Sequence, residues 1–199
     1  MQRNIDLDLR AAVETVASVQ PVDVSANVLA AVLDFIAVRL RVWVEEQGYA
    51  HDVVAAVLAA QATNPAQALA GVRQLSEWIK RDDWEQILDG FARCVRITRS
   101  ETERYVIDPE LFEQPEENQL YLAYAQAEVH DDAGGDIDAF LNAFVPMLPA
   151  ITAYFGTGKG DGVLVNTEDQ AVRRNRIALL QAISALQDGR ADLSPLSGF

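Results

Sequence analysis

The only histidines in this 199-residue chain stand in two His-Asp dipeptides, His51-Asp52 and His130-Asp131. A metal-dependent phosphohydrolase of the His-Asp type needs such a pair together with a further histidine and a distant aspartate as ligands. Here that set forms only by drawing His51, His130, Asp131 and Asp138 together. His130 and Asp131 read more simply as a helix end, where histidine suits the helix dipole. The loop Gly156-Thr-Gly-Lys-Gly-Asp-Gly162 carries Lys159. A phosphate-binding loop requires Gly-x-x-x-x-Gly-Lys and then Ser or Thr, between a strand and a helix. Here Gly160 follows Lys159 and a helical segment precedes the loop, so the lysine is at most a contact to a phosphate backbone. Cys94 borders an apolar stripe and reads as a small hydrophobe. The acidic pairs Glu45-Glu46 and Glu116-Glu117 read as solvated helix faces. No complete active site emerges.

A different kind of site is built from Arg173, Arg174, Asn175 and Arg176. They lie in the stretch 169–187, one long amphipathic helix with Thr167 as its cap, Glu168 and Asp169 in its first turn and Gly189 as its stop. Val172, Leu179, Leu180, Ile183 and Leu186 share one face at helical spacing. Arg176 falls in the middle of that face, Arg174 opposite it and Arg173 on the flank. A cation among core positions needs a carboxylate partner or a negatively charged guest, because an unpaired buried charge is very costly. Arg39 sits in the same way among Val28, Val32, Phe35, Ile36 and Trp43. Arg39 and Arg176 are therefore candidates for structural ion pairs. Arg93 and Arg96 lie three apart on the exposed flank of another helix, with Arg99 nearer its core edge. That flank is a solvated face or one that meets phosphate.

The elements that position these residues are helical. The spacing predicts helices over 7–19, 26–47, 51–61, 66–80, 84–98 and 115–130. Ser25, Thr63 or Asn64, and Asp82 or Asp83 are their caps, and Gly48 is a stop. Pro109 sets a turn in a connector where Leu111 and Phe112 fill an apolar gap. An apolar helix over 137–155 is kinked or broken at Pro146 and Pro149. Val163-Leu-Val is a tether or one short strand, and the tail with Leu193, Leu196 and Phe199 packs loosely. No internal repeat or linker composition interrupts the chain. The class is all-α, an antiparallel bundle of about seven to eight helices. It is read as a single region, with residues 1–80 leading into a bundle of residues 81–199.

The formal net charge is −14, unlike the basic footprint of most nucleic-acid binders. Much of the acidity lies in 6–14, 101–117 and 128–138, which leaves room for a local basic patch. A single cysteine allows no disulfide within the chain, and a reducing, cytoplasmic setting is expected. The first residues are unlike a signal peptide. No run of about 18 apolar residues is evident, so no membrane partner is expected.

Several stretches, in order, resemble one family. They are Asp34-Phe-Ile-Ala-Val-Arg-Leu-Arg-Val-Trp43, Gln47-Gly-Tyr-Ala-His-Asp-Val-Val-Ala-Ala-Val-Leu58, Phe91-Ala-Arg-Cys-Val-Arg-Ile97, Asp108-Pro-Glu-Leu-Phe-Glu-Gln-Pro-Glu-Glu-Asn-Gln-Leu-Tyr121 and Glu168-Asp-Gln-Ala-Val-Arg-Arg-Asn-Arg-Ile-Ala-Leu-Leu180. Together they resemble the C-terminal end of the β subunits of bacterial-type heterotetrameric glycyl-tRNA synthetases. The resemblance covers about four-fifths of the chain and absorbs His51-Asp52. It implies a helical anticodon-binding domain like that of arginyl-type synthetases, with Ala171-Val-Arg173 standing where the Ala-Leu-Arg signature falls. Two places depart from the family. The glycine loop follows Tyr154-Phe155 where an acidic residue is usual, and Arg96 stands where an asparagine would.

On this resemblance the chain positions glycine tRNA and does no chemistry itself. Glycine, ATP and Mg²⁺ belong to the catalytic α subunit, and no cofactor is expected in this stretch. The partners implied are glycine tRNA, the α subunit and the remainder of the β subunit. Bases of a single-stranded anticodon are read by stacking and by arginine and amide contacts. The candidate RNA contacts are Arg173, Arg174, Asn175, Arg176, Lys159, Tyr154, Phe155, Arg93 and Arg96. The alternative is a helical docking scaffold without RNA binding, and a remote one is the His-Asp phosphohydrolase.

Overall fold

A computed structural model describes residues 5–130, 136–158 and 160–199, except the side chain of His130. Helices dominate and no strand occurs among the described residues. The chain divides into two compact units. One comprises residues 5–81 with Gly189–Ser197, the other Asp82–Asp188 with Gly198–Phe199.

The first unit holds α1 (Leu9–Ser18), α2 (Ala26–Glu46), α3 (His51–Gln61) and α4 (Pro65–Trp78). Its helices start where side-chain oxygens replace the missing intrahelical acceptors. The Asp8 carboxylate accepts from the Arg10 amide at 2.8 Å, Ser25 Oγ from Val28 at 3.4 Å and Asn64 Oδ1 from Gln67 at 3.2 Å. Pro65 occupies the first turn of α4, where no amide donor is needed. Gly48 ends α2 at φ +91°. Val53, Val54 and Val57 of α3 and Val72 and Leu75 of α4 are fully buried. The tail is anchored rather than loose. Asp192 N donates to Ala56 O at 2.8 Å, Gln61 Nε2 donates to Arg190 O at 2.8 Å, and Leu193 and Leu196 are buried.

Helix α2 corrects the expected core face. Leu40 and Val44 are its buried residues, while Val28, Val32, Phe35 and Trp43 are exposed. The helix is apolar on two sides, and helical periodicity does not say which side the fold covers. Arg39 follows its stripe outward. It is exposed, with its guanidinium 5.3 Å from the Phe35 ring centre, and no carboxylate pairs with it among the described residues.

The second unit holds α5 (Trp84–Thr98), α6 (Pro115–His130), α7 (Ile137–Phe144), α8 (Leu148–Phe155) and α9 (Gln170–Ser184). Single 3-10 turns lie at Pro109–Leu111, Val145–Met147 and Ala185–Gln187. Helix α5 packs along α9, and α6 packs on α7 and α8. Phe91 meets Phe140 and Phe144 edge-on, each pair of ring centres 5.3 Å apart. Such contacts add about 0.5–1.5 kcal/mol each beyond burial.

The segment Ile137–Phe155 is long and apolar enough to cross a membrane by length and composition, contrary to expectation. It runs as α7, a 3-10 turn and α8, divided near Pro146, as the prolines predict. Phe140, Leu141, Phe144 and Ile151 lie in the core of the unit. Leu111 stays at the surface, and Phe112 leans on Tyr121 with ring centres 5.6 Å apart. Arg99 is exposed rather than at the core edge.

The loop after α8 closes on itself. Thr157 N and Oγ1 both donate to the Asp161 carboxylate at 2.9 Å, and Val163 N donates to Tyr154 O at 2.7 Å. A β-carbon at Gly162 would run into the Phe155 carbonyl, which is backbone and cannot swing aside. Gly162→Ala is expected to lower stability by about 1–3 kcal/mol, read as an earlier midpoint in urea unfolding. An unchanged midpoint would mean that the loop reopens freely.

Candidate functional site

Helix α9 positions four of the proposed RNA contacts. It begins later than the spacing predicts, because Asp169 and not Thr167 caps it. The Asp169 carboxylate accepts from the Ala171 and Val172 amides at 2.8 and 3.2 Å. The helix ends at Ser184, and residues 185–187 tighten into a 3-10 turn.

Arg176 is 2% exposed and points into the second unit. Its Nε donates to Glu117 Oε1 at 2.9 Å, and its Nη2 donates to Glu117 Oε2 at 3.1 Å and Glu113 Oε2 at 2.9 Å. Nη1 donates to Leu164 O at 3.0 Å. The hydrogen bond to Glu117 raises the Arg176 pKa above its ordinary value, despite the opposing effect of burial. Glu117 is 0% exposed, not on a solvated face. Its Oε2 also accepts from the Glu113 and Gln114 amides at 3.0 and 2.9 Å, closing the start of α6. Sequence reasoning missed this partner. The signal was Glu117 three residues after Gln114, the spacing of a capping box, in a chain whose late helix demanded a buried carboxylate.

Asn175 is likewise buried. Its Nδ2 donates to Asp108 O at 2.9 Å and its Oδ1 accepts from Asp108 N at 2.7 Å. Gln181, also missed, repeats the device two turns on. Its Nε2 donates to Glu103 O at 2.7 Å and its Oε1 accepts from Tyr105 N at 3.1 Å. These two amides hold the connector 103–108 against α9.

The connector carries Tyr105 to the side of α9 where Arg174 emerges. Arg174 is exposed, and its guanidinium lies 5.8 Å from the Tyr105 ring centre. Arg173 is half-buried, with Nη2 on Glu101 Oε1 at 2.5 Å and Nε on Asn166 Oδ1 at 3.3 Å. Glu101 Oε2 accepts in turn from the Tyr105 hydroxyl at 3.3 Å. The result is a surface cation on an aromatic ring, with the ring fixed from beneath.

The remaining expected residues do not all join this surface. Tyr154 is fully buried with no partner for its hydroxyl, so no base reaches its ring. Phe155 is half-buried beside it, ring centres 5.2 Å apart. Arg93 is held by Asp89 at 2.9 Å, and Arg96 lies 3.9 Å from the same carboxylate and 5.9 Å from the Phe199 ring. Lys159 lies outside the described residues. So does Asp131, and with it the second His-Asp dipeptide. His51 is exposed and bonded to Glu45 Oε1 at 2.7 Å. No three His, Cys, Asp or Glu side chains gather to hold a metal among the described residues.

No family model matches the chain. It is 34% identical to the glycine–tRNA ligase β subunit of Moorella thermoacetica over 180 residues, covering 89% of the chain and 25% of that protein. It is 31% identical to the β subunit of Actinobacillus pleuropneumoniae over 201 residues, 98% of the chain and 28% of the relative. The chloroplastic/mitochondrial glycine–tRNA ligase 2 of Arabidopsis thaliana is 29% identical over the whole chain and 18% of its own length. The chain thus spans about a quarter of the length of these relatives or less.

Two outcomes follow from the buried groups. Arg176→Met is expected to cost about 3–5 kcal/mol, because it strands the Glu117 carboxylate. Combined with Glu117→Gln it should cost clearly less than the two single losses added, in urea unfolding. Additivity within about 0.5 kcal/mol would mean no coupling. Burial pushes the Cys94 thiol up to about 12 and lifts the Tyr154 hydroxyl as well. The folded state favours the protonated form of both. Their contribution is full below the ordinary values of about 8.5 and 10 and is lost as pH climbs toward the raised ones. Cys94 should therefore resist a thiol reagent at pH 8 until the chain unfolds. Rapid labelling of the native protein would contradict its burial.

Proposed function

Because the chain belongs to the glycine–tRNA ligase β-subunit family, we propose that it is an anticodon-binding domain of such a subunit. On this reading it holds glycine tRNA while the catalytic α subunit, with ATP and Mg²⁺, joins glycine to the terminal adenosine. The domain contributes position and no bond-making group. A cytoplasmic setting without a membrane partner goes with a bacterial subunit of this kind, although the Arabidopsis relative is chloroplastic/mitochondrial.

The observation that carries the reading is Arg174 against Tyr105. An aromatic ring and a guanidinium plane are the surfaces on which unstacked RNA bases rest, and the guanidinium also reaches base edges and phosphate. The ring is held ready by part-buried contacts. Asn175 and Gln181 fix the connector, and Glu101 holds both Arg173 and the Tyr105 hydroxyl. Ordering therefore precedes binding, which lowers the entropy lost when RNA arrives.

The same geometry limits the electrostatic share. Arg173, Arg176 and Arg93 are already matched by carboxylates. Few cations remain for phosphate, so the salt dependence is shallow for an RNA binder.

Titration of a glycine-tRNA anticodon stem-loop, followed by fluorescence anisotropy at low and moderate salt, tests this. Arg174→Ala should weaken binding about five- to tenfold, close to 1–1.4 kcal/mol, and flatten the salt slope by about one. Tyr105→Ala should weaken it comparably, and Tyr105→Phe should not. No binding at low salt, or binding indifferent to Arg174, would refute the assignment.

A further inference from the structure

Helix α2 buries one side within its unit and leaves the opposite side open. Val28, Val32, Phe35, Val42 and Trp43 fall on one stripe at helical spacing, with Phe35 61% and Trp43 41% exposed. Helix α1 extends this surface. Val13 and Val16 join Val28 and Val32 around an apolar trough of about 350 Å³. A contiguous exposed apolar stripe of this kind marks an interface.

Arg39 defines what covers it. It stands at the centre of the stripe over the Phe35 ring, with no carboxylate on it among the described residues. Covering the stripe takes that cation out of water, so the cover must bring a carboxylate to it. A second copy is a poor fit. Each chain carries −14, so two copies repel one another. RNA fits no better, because Asp34 and Glu46 are exposed on the same helix and repel phosphate.

The matched stretch is 25% of the Moorella β subunit. We infer that the open face of α1 and α2 docks the remainder of a glycine–tRNA ligase β subunit, through an apolar surface carrying a carboxylate opposite Arg39. This rests on the family relation and is independent of the RNA-binding reading.

Trp43 lies in the face and reports its cover, since Trp78 and Trp84 are already buried. Acrylamide quenching is compared between the chain alone and an intact Moorella thermoacetica β subunit whose matched stretch is replaced by this chain. Each is read as the difference from its Trp43→Phe variant. Trp43 should be open in the chain and several-fold less quenched in the full-length protein. Phe35→Asp or Arg39→Glu should restore quenching there, whereas Arg39→Lys and Arg174→Ala should not. Sedimentation equilibrium of the chain alone should give a monomer with or without Phe35→Asp, a result that stands even where the hybrid fails to fold. Equal quenching in both settings, a dimer that depends on Phe35, or shielding of Trp43 by stem-loop RNA would each overturn the proposal.

Discussion

The ion pair between Arg176 and Glu117 is the constraint from which the second unit is built. Two charges withdrawn from water are tolerable only when nearly every donor and acceptor on them is used. Glu117 accepts from the guanidinium and from two backbone amides, and Arg176 adds Glu113 and the Leu164 carbonyl. The pair therefore fixes three things together: where α6 begins, how α9 is rotated, and where the strap 163–165 crosses. The rotation of α9 has a direct result at the surface. With Arg176 inside, helical geometry sends Arg174 outward.

A second layer converts that rotation into a site. Connectors without regular structure have backbone groups that must bond to something. Here Asn175 and Gln181 serve residues 103–108 as a neighbouring strand would, one amide group donating and accepting at each place. Tyr105 consequently has a fixed position relative to Arg174. An acidic chain thus keeps Arg174 clear of carboxylates at this surface, while its neighbours Arg173 and Arg176 are matched by them.

Much of this architecture is legible in the sequence, for physical reasons. Caps and stops act locally, so Ser25, Asn64, Gly48 and the first-turn prolines mark helix limits that the structure keeps. The stranded position of Arg176 is legible too, since one face of one helix suffices to raise the question. Its answer is not, because Glu117 lies 59 residues away and reads locally as half of an acidic pair. The exposed side of α2 is hidden for a similar reason. Its stripe is as apolar as any core face, and only the packing of α3 on the other side reveals which one is covered. Tyr154 shows the limit of residue type as a guide to role. An aromatic beside a glycine loop suits base stacking, yet its ring fills the interior. The family relation was legible in order and spacing, while the separate contributions of Arg173 and Arg174 needed coordinates.

The return of Gly189–Ser197 to the first unit orders events during synthesis. Leu193 and Leu196 supply buried surface to a unit whose helices were made more than a hundred residues earlier. At translation rates of about 5–20 residues per second, α3 waits on the order of 7–26 seconds for the tail that docks on it. Throughout that interval the part of α3 that the tail later meets at Ala56 stands without it. Whatever shields α3 in that time, whether chaperone or ribosome surface, works on a vulnerability that no equilibrium measurement of the complete chain would register.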